Sequence, residues 1–335
     1  MTSIVDAVRN DNPRILKLLL AVPRSIKTAD LNRGFLLAVE MGLCECLKCL
    51  FTSNIDKEVE DSKGNSAIHL SVVSDHPKTL ELLIHEKCSL EMKVNGSTPL
   101  HMAAKLGQHE CLNILTRSGV NINAKDSGGN TALILAVKNS QYMCMGILLR
   151  VGCDVDAQNH EGRTALHYAC HTARGYAQLL EAGADPDICD KEGNTALIMS
   201  AAEGFDRVVK ALVEANCDVN VTCSSSRRTA LHILSLKGHV RGVSDLVFGG
   251  ADVNLYDKEM HTPLWYAVSN RRHNIVKILL RANCQVDTFQ CHENIPPEAC
   301  PTRLALSQGS IGIMKDFILT GYDKSHLKVY LRRRR

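Results

Sequence analysis

The sequence predicts an all-α solenoid of about ten helix-pair units with short β-hairpin tips, and two regularities carry that prediction. A Thr followed by Ala or Pro and then Leu recurs at Thr98, Thr131, Thr164, Thr195, Thr229 and Thr262, at steps of 33, 33, 31, 34 and 33 residues. Gly or Asn occupies seven of the eight positions Asn54, Lys87, Gly119, Gly152, Asn216, Gly250, Asn283 and Gly321, each sixteen residues beyond one fixed position of the unit that is small everywhere but at Leu234. A period near 33 marks one supersecondary unit used repeatedly, and Gly or Asn at a fixed offset supplies the left-handed residue that closes a helix. One helix pair is too small to bury its own apolar stripe, so the copies must stack.

Residues Asp190 to Asn220 show the unit most plainly. Thr195 caps a first helix that Gly204 stops. Phe205, Val208, Val209 and Leu212 then fall at helical spacing and give the second helix one apolar stripe, which Asn216 ends. Pro99 and Pro263 sit at the first helical position, where a missing N–H costs nothing.

The elements follow in order. Ile4, Ala7, Ile15, Leu18 and Leu19 read as a capping helix pair, and Phe35, Ala38, Gly42, Leu47 and Leu50 as a second degenerate unit, so residues 1–58 form an N-terminal cap. Residues 59–287 hold the regular units, in one continuous and elongated array. In the 159–189 unit the closing Gly183 arrives two residues early, which predicts a first helix or inter-helix turn trimmed around His171 to Tyr176. Cys223-Ser-Ser-Ser-Arg-Arg replaces the usual Asp-x-x-Gly turn. The final repeat, 288–323, carries an insertion between Thr288 and Pro301 with Pro296 and Pro297 in it. Leu327, Tyr330 and Leu331 predict a short cap within 324–335 ahead of the basic end Arg332 to Arg335.

The repeated Thr98-Pro-Leu-His, Thr164-Ala-Leu-His, Thr229-Ala-Leu-His and Thr262-Pro-Leu-Trp, with the weaker Ser66-Ala-Ile-His, resemble the Thr-Pro-Leu-His-x-Ala motif of ankyrin repeats. The resemblance implies that His69, His101, His167 and His232 hydrogen-bond between neighbouring turns, and that Trp265, at the same position, fills the gap between units. It also implies a modification. Hairpin Asn residues of this family are hydroxylated, favoured by Asp-Val-Asn with Leu eight residues before, which Asn220 (Leu212) and Asn254 (Leu246) match; Asn123 matches less well.

Composition excludes several classes. The 39 basic and 36 acidic residues nearly cancel, so no overall field draws nucleic acid or a membrane surface. No run approaches the roughly 18 apolar residues of a membrane span. Most of the 14 cysteines follow the repeat register and, with no secretory signal at the start, point to reduced thiols in cytoplasm or nucleus. Cys44, Cys46 and Cys49 would be spread over different faces of a helix; Cys284, Cys291, His292 and Cys300 share a loop but match no zinc spacing. There is no phosphate loop, dinucleotide fingerprint or His-Glu-x-x-His. The chain is therefore expected to be a monomeric, non-enzymatic scaffold or adaptor with no metal or cofactor.

Recognition by surface remains. The positions that the motif leaves free should line the concave side: His160, Arg163, Tyr168 and His171; Lys191, Asn194 and Met199; Arg227 and Arg228; and Lys258, His261, Tyr266 and Asn270. Their mix of Tyr, Arg, Met and His is that of an interface for another protein. An alternative is a substrate receptor of a cullin-type ubiquitin ligase, as in ankyrin proteins that carry a suppressor-of-cytokine-signalling box. That box needs a helical segment after the repeats, for which Tyr322 to Arg335 is too short, so on this alternative the box is absent or truncated here.

Overall fold

Residues 3–21, 27–53, 55–286 and 300–320 are described by a computed structural model, and they form twenty α-helices in ten pairs. The chain divides into two compact units, residues 1–160 and 161–335. In the first the pairs are α1–α2 (Ile4–Arg9, Pro13–Leu20), α3–α4 (Thr28–Glu40, Cys44–Phe51), α5–α6 (Ala67–Val73, Pro77–His85), α7–α8 (Pro99–Leu106, His109–Arg117) and α9–α10 (Ala132–Lys138, Tyr142–Arg150). In the second they are α11–α12 (Ala165–Thr172, Tyr176–Glu181), α13–α14 (Ala196–Glu203, Asp206–Glu214), α15–α16 (Ala230–Lys237, Val240–Phe248), α17–α18 (Pro263–Ser269, His273–Arg281) and α19–α20 (Pro301–Ser307, Ile311–Leu319). Inside each unit first helices pack on first helices, as α11, α13, α15, α17 and α19 do in turn.

The caps work as the residue types require. The Thr131 and Thr195 hydroxyls accept the N–H of Ile134 at 3.4 Å and of Ile198 at 3.3 Å. Gly107, Gly204 and Gly238 end their helices in the left-handed region, and Gly119, Gly152, Asn216, Gly250 and Asn283 leave the second helices the same way. Lys87, the departure from Gly and Asn, has φ +60° as well. There the packed neighbours impose a conformation that the side chain disfavours. Asn54 and Gly321 lie outside the described residues.

The small residue of each pair, from Ala7 and Ala38 through Ser71 and Ser200 to Ala305, is buried at all ten positions, and the Ser71 and Ser200 hydroxyls donate to the carbonyls of Ile68 and Leu197. Leu234 is the large exception. The space for it comes from Gly242, where a Cβ would stand 2.8 Å from Leu234 Cδ1.

Three expectations change. In the 159–189 unit the first helix is full length at eight residues, and α12 is the trimmed element, with six; Ala173 and Gly175, both at positive φ, lie in the turn between them. Phe205 is the residue before α14 rather than part of its stripe. Among the described residues the tips hold no strand ladder, only the bridges Glu60–Ser66 and Val94–Ser97. The insertion between Thr288 and Pro301 lies outside the described residues up to residue 299, as do the cap and basic end beyond Thr320.

Candidate functional site

In four pairs the turn ahead of the first helix is built on a buried or half-buried carboxylate. Asp61 Oδ1 takes the N–H groups of Lys63 and Asn65, and Asp126 Oδ1 those of Gly128 and Asn130. Asp190 Oδ1 takes those of Glu192 and Asn194, and Asp257 Oδ1 those of Glu259 and His261, all between 2.7 and 3.0 Å. Burial alone would raise the Asp190 and Asp257 pKa values. Donated hydrogen bonds, from Asn194 at the first and Tyr266 and His261 at the second, overcome it and hold both below the usual carboxylate range. In the turn before α15 Cys223 takes the place of the carboxylate, with its Sγ 2.8 Å from Ser226 Oγ.

Successive turns of the second unit are joined through their backbones. The N–H groups of Lys191, Ser224 and Lys258 donate to the carbonyls of Glu161, Glu192 and Ser226 at 3.0, 3.1 and 2.9 Å. Glycine is needed for this approach: a Cβ on Gly162 or Gly193 would meet the Lys191 or Ser224 backbone nitrogen at 2.9 Å.

On these turns several of the expected surface residues serve the stack instead. Arg163 Nε lies 3.3 Å from Asp190 Oδ2, and its Nη1 3.3 Å from Glu161. Arg228 repeats the device one pair later, with Nε 3.3 Å from Asp257 Oδ2 and Nη2 3.6 Å from Glu259. Both arginines are half-buried. Tyr266, expected to be exposed, is only 4% exposed. Its hydroxyl donates to Asp257 Oδ2 at 2.6 Å, and the Arg228 guanidinium lies over its ring at 5.0 Å. The reason is the short reach from α17 back to its own turn, where Asp257 offers a buried charge that needs donors. Trp265 is half-buried, stacked on the His261 ring at 3.6 Å and edge-on to Tyr266.

The other candidates separate by role. Asn194 donates its carboxamide N–H to Asp190 and Glu192. His171 pairs with Glu203 at 3.2 Å. Asn270 donates to the Tyr266 carbonyl and to Ser269 Oγ. His160 belongs to the first unit, where its N–H donates to the Gly128 carbonyl. Lys191, Arg227 and Lys258 are exposed, one per turn, and among the described residues none has an ion pair. Tyr168, Met199 and Ile233, each four residues past its capping Thr, are half-buried in equivalent positions on α11, α13 and α15. Tyr168 donates to Glu161 at 3.1 Å.

The motif histidines hold neighbouring turns together. In His101, His167 and His232, Nδ1 accepts the backbone N–H of Thr98, Thr164 and Thr229, each at 3.2 Å. The proton is therefore on Nε2, which donates to the carbonyls of Asn130, Asn194 and His261 at 3.0, 3.1 and 3.2 Å. His69 is placed alike, with Nε2 3.3 Å from the Ser97 carbonyl. Burial lowers the pKa of all four, that of His232 to about 4.

Asn220 and Asn254 lie in the loops leaving α14 and α16, half-buried, and their carboxamide oxygens accept the N–H of Asp252 at 2.8 Å and Gln285 at 2.7 Å. Asn123 does the same for Asp154 at 2.9 Å. Among the described residues no three His, Cys, Asp or Glu side chains converge on a metal position. Cys44, Cys46 and Cys49 instead face Thr79, Asp11 and the Pro13 carbonyl separately. Cys291 and His292 lie outside the described residues. No described helix is long and apolar enough to cross a membrane.

The family model for ankyrin repeats (3 copies) matches residues 35–126, 118–187, 173–257 and 231–325. The chain belongs to the ankyrin-repeat family. The ankyrin-repeat protein FPV223 of fowlpox virus is 30% identical over 118 residues, 35% of this chain and 79% of that protein. The human transient receptor potential cation channel subfamily A member 1 is 26% identical over 295 residues, 83% of this chain; the match spans 22% of the channel's length. The crystal structure of the ankyrin repeat domain of Bcl-3, a member of the IkappaB protein family, superposes with a TM-score of 0.58 at 30% identity, covering 65% of this chain and 99% of that domain. Ankyrin repeats are protein-interaction modules, and this chain is one.

Proposed function

We propose that the chain is a non-enzymatic adaptor that holds a segment of another protein against the first helices and turns of its second unit. One contrast carries the reading. In the second unit the turn carboxylates Glu161, Asp190, Glu192, Asp257 and Glu259 all have partners within the stack, whereas Lys191, Arg227 and Lys258 stand exposed beside the half-buried row Tyr168, Met199 and Ile233. The first unit's tips, Ser62-Lys63, Asn95-Gly96 and Ser127-Gly128, are smaller and carry one charge among them. A surface with apolar anchors and uncompensated cations fits a partner that is partly acidic.

A pull-down from cell extract tests this. The wild-type chain should recover a partner that the double variant Met199→Asp, Ile233→Asp does not, while both show the same thermal transition. Retention by the double variant would place the site elsewhere. Recovery of a cullin-type scaffold with the partner would favour the ligase-receptor reading over a simple tether.

A further inference from the structure

We infer that the bound segment is an extended, acidic peptide with an apolar side chain at every third residue. This rests on the proposed function and adds the partner's chemistry to it. Tyr168, Met199 and Ile233 occupy one register on α11, α13 and α15, so they form a row with one member per helix pair. Lys191, Arg227 and Lys258 supply one exposed cation per turn beside it, Lys191 and Lys258 four residues before their capping Thr and Arg227 two, on turns tied to one another by backbone hydrogen bonds. The apolar row stops at the next pair, because Tyr266 is buried on Asp257.

Packed helices lie roughly 8–10 Å apart, and α11, α13 and α15 pack in turn, so that distance sets the spacing of the apolar row. A polyproline-type chain rises about 3.1 Å per residue with 3 residues per turn. Its residues i, i+3 and i+6 therefore share one side at about 9 Å intervals, and i−1, i+2 and i+5 form a second line beside them. That is the spacing of the apolar row, and the turn cations stand beside it. A β-strand puts residues three apart on opposite faces. An amphipathic helix offers an apolar side chain every three or four residues, about 5 Å at 1.5 Å per residue, twice as often as this face supplies a contact. The cation row sets the charge: each apolar residue of the partner has an acidic neighbour, since the carboxylates of the turns already have partners and the three cations do not.

The inference is tested by fluorescence anisotropy on the full chain with four labelled peptides. One has four copies of Glu-Leu-Pro, one has Lys in place of Glu, one spaces Leu every fourth residue, and one is an amphipathic Leu/Glu helix. The Glu-Leu-Pro peptide is expected to bind about tenfold tighter than each of the others, a difference of about 1.4 kcal/mol. Its affinity should fall about tenfold and lose its salt dependence in the triple variant Lys191→Ala, Arg227→Ala, Lys258→Ala, while Met199→Ala weakens binding in a chain whose circular dichroism is unchanged. Equal or tighter binding of the four-residue or helical peptide, still sensitive to Met199→Ala, would overturn the three-residue register and leave the face standing. Binding insensitive to Met199→Ala would overturn the face as well, and the absence of binding by Glu-Leu-Pro would overturn the inference.

Discussion

Mild acid should unfold the second unit from its histidines, and His232 sets the scale. Its ring is fully buried; Nδ1 accepts the Thr229 N–H and Nε2 donates to the His261 carbonyl. Burial is the main cause of a pKa pushed down to about 4 from the ordinary 6.5, with nearby Asp257 working the other way. The unfolded chain therefore binds more protons between those two values. Stability is complete above the unfolded value and drains away as pH falls toward the folded one. At pH 5 the loss from this residue is about 2 kcal/mol relative to pH 7.5 by linkage. His167, in the same unit and also lowered by burial, adds in the same direction, and His69 and His101 do so for the first unit. Urea unfolding followed by Trp265 fluorescence, one helix pair away on α17, reports the effect locally. His232→Gln keeps a donor near Nε2 but cannot titrate; it should begin less stable at pH 7.5 and lose about 2 kcal/mol less than the wild type on going to pH 5. If both chains lose the same amount, His232 does not titrate as its burial requires.

Two other outcomes are expected. Tyr266→Phe should cost about 1–3 kcal/mol by removing the hydroxyl that donates to the buried Asp257 Oδ2 beside Arg228 Nε, and Tyr266→Ala about 3–5 kcal/mol by emptying a packed site; denaturation midpoints that stay near the wild type would show that the hydroxyl and ring are dispensable. Asn220 and Asn254 should each gain the mass of one oxygen atom in cells that contain the asparaginyl hydroxylase and not in cells that lack it, and peptide spectra without that increment at either site would remove the assignment.

Much of this was legible in the residues because a repeat constrains itself at every copy. Thr at the cap, a small residue in the packed centre and Gly or Asn at the exit answer local requirements of a helix pair, and those requirements recur. The histidine role was legible for the same reason, since Thr98, Thr164 and Thr229 each lie three residues before their His. The candidate surface was only partly legible. Arg163 and Arg228 follow the tip of their own turn by one residue, and Asp190 and Asp257 open the next; that spacing could have paired them in advance, yet in sequence an arginine on a tip looks the same whether it faces solvent or a buried carboxylate.

The sequence by itself therefore determined the unit, its period, the number of helix pairs and the small residues at their centre, because each follows from the short-range stereochemistry of one pair. Tertiary structure alone decided which polar residues remain outside the stack. Tyr266, Arg163 and Arg228 turn inward, while Lys191, Arg227 and Lys258 do not, because a buried carboxylate takes up the first group, Asp257 of its own turn for Tyr266 and Asp190 or Asp257 of the next turn for the arginines. Burying that charge without donors would cost more than any exposed contact returns.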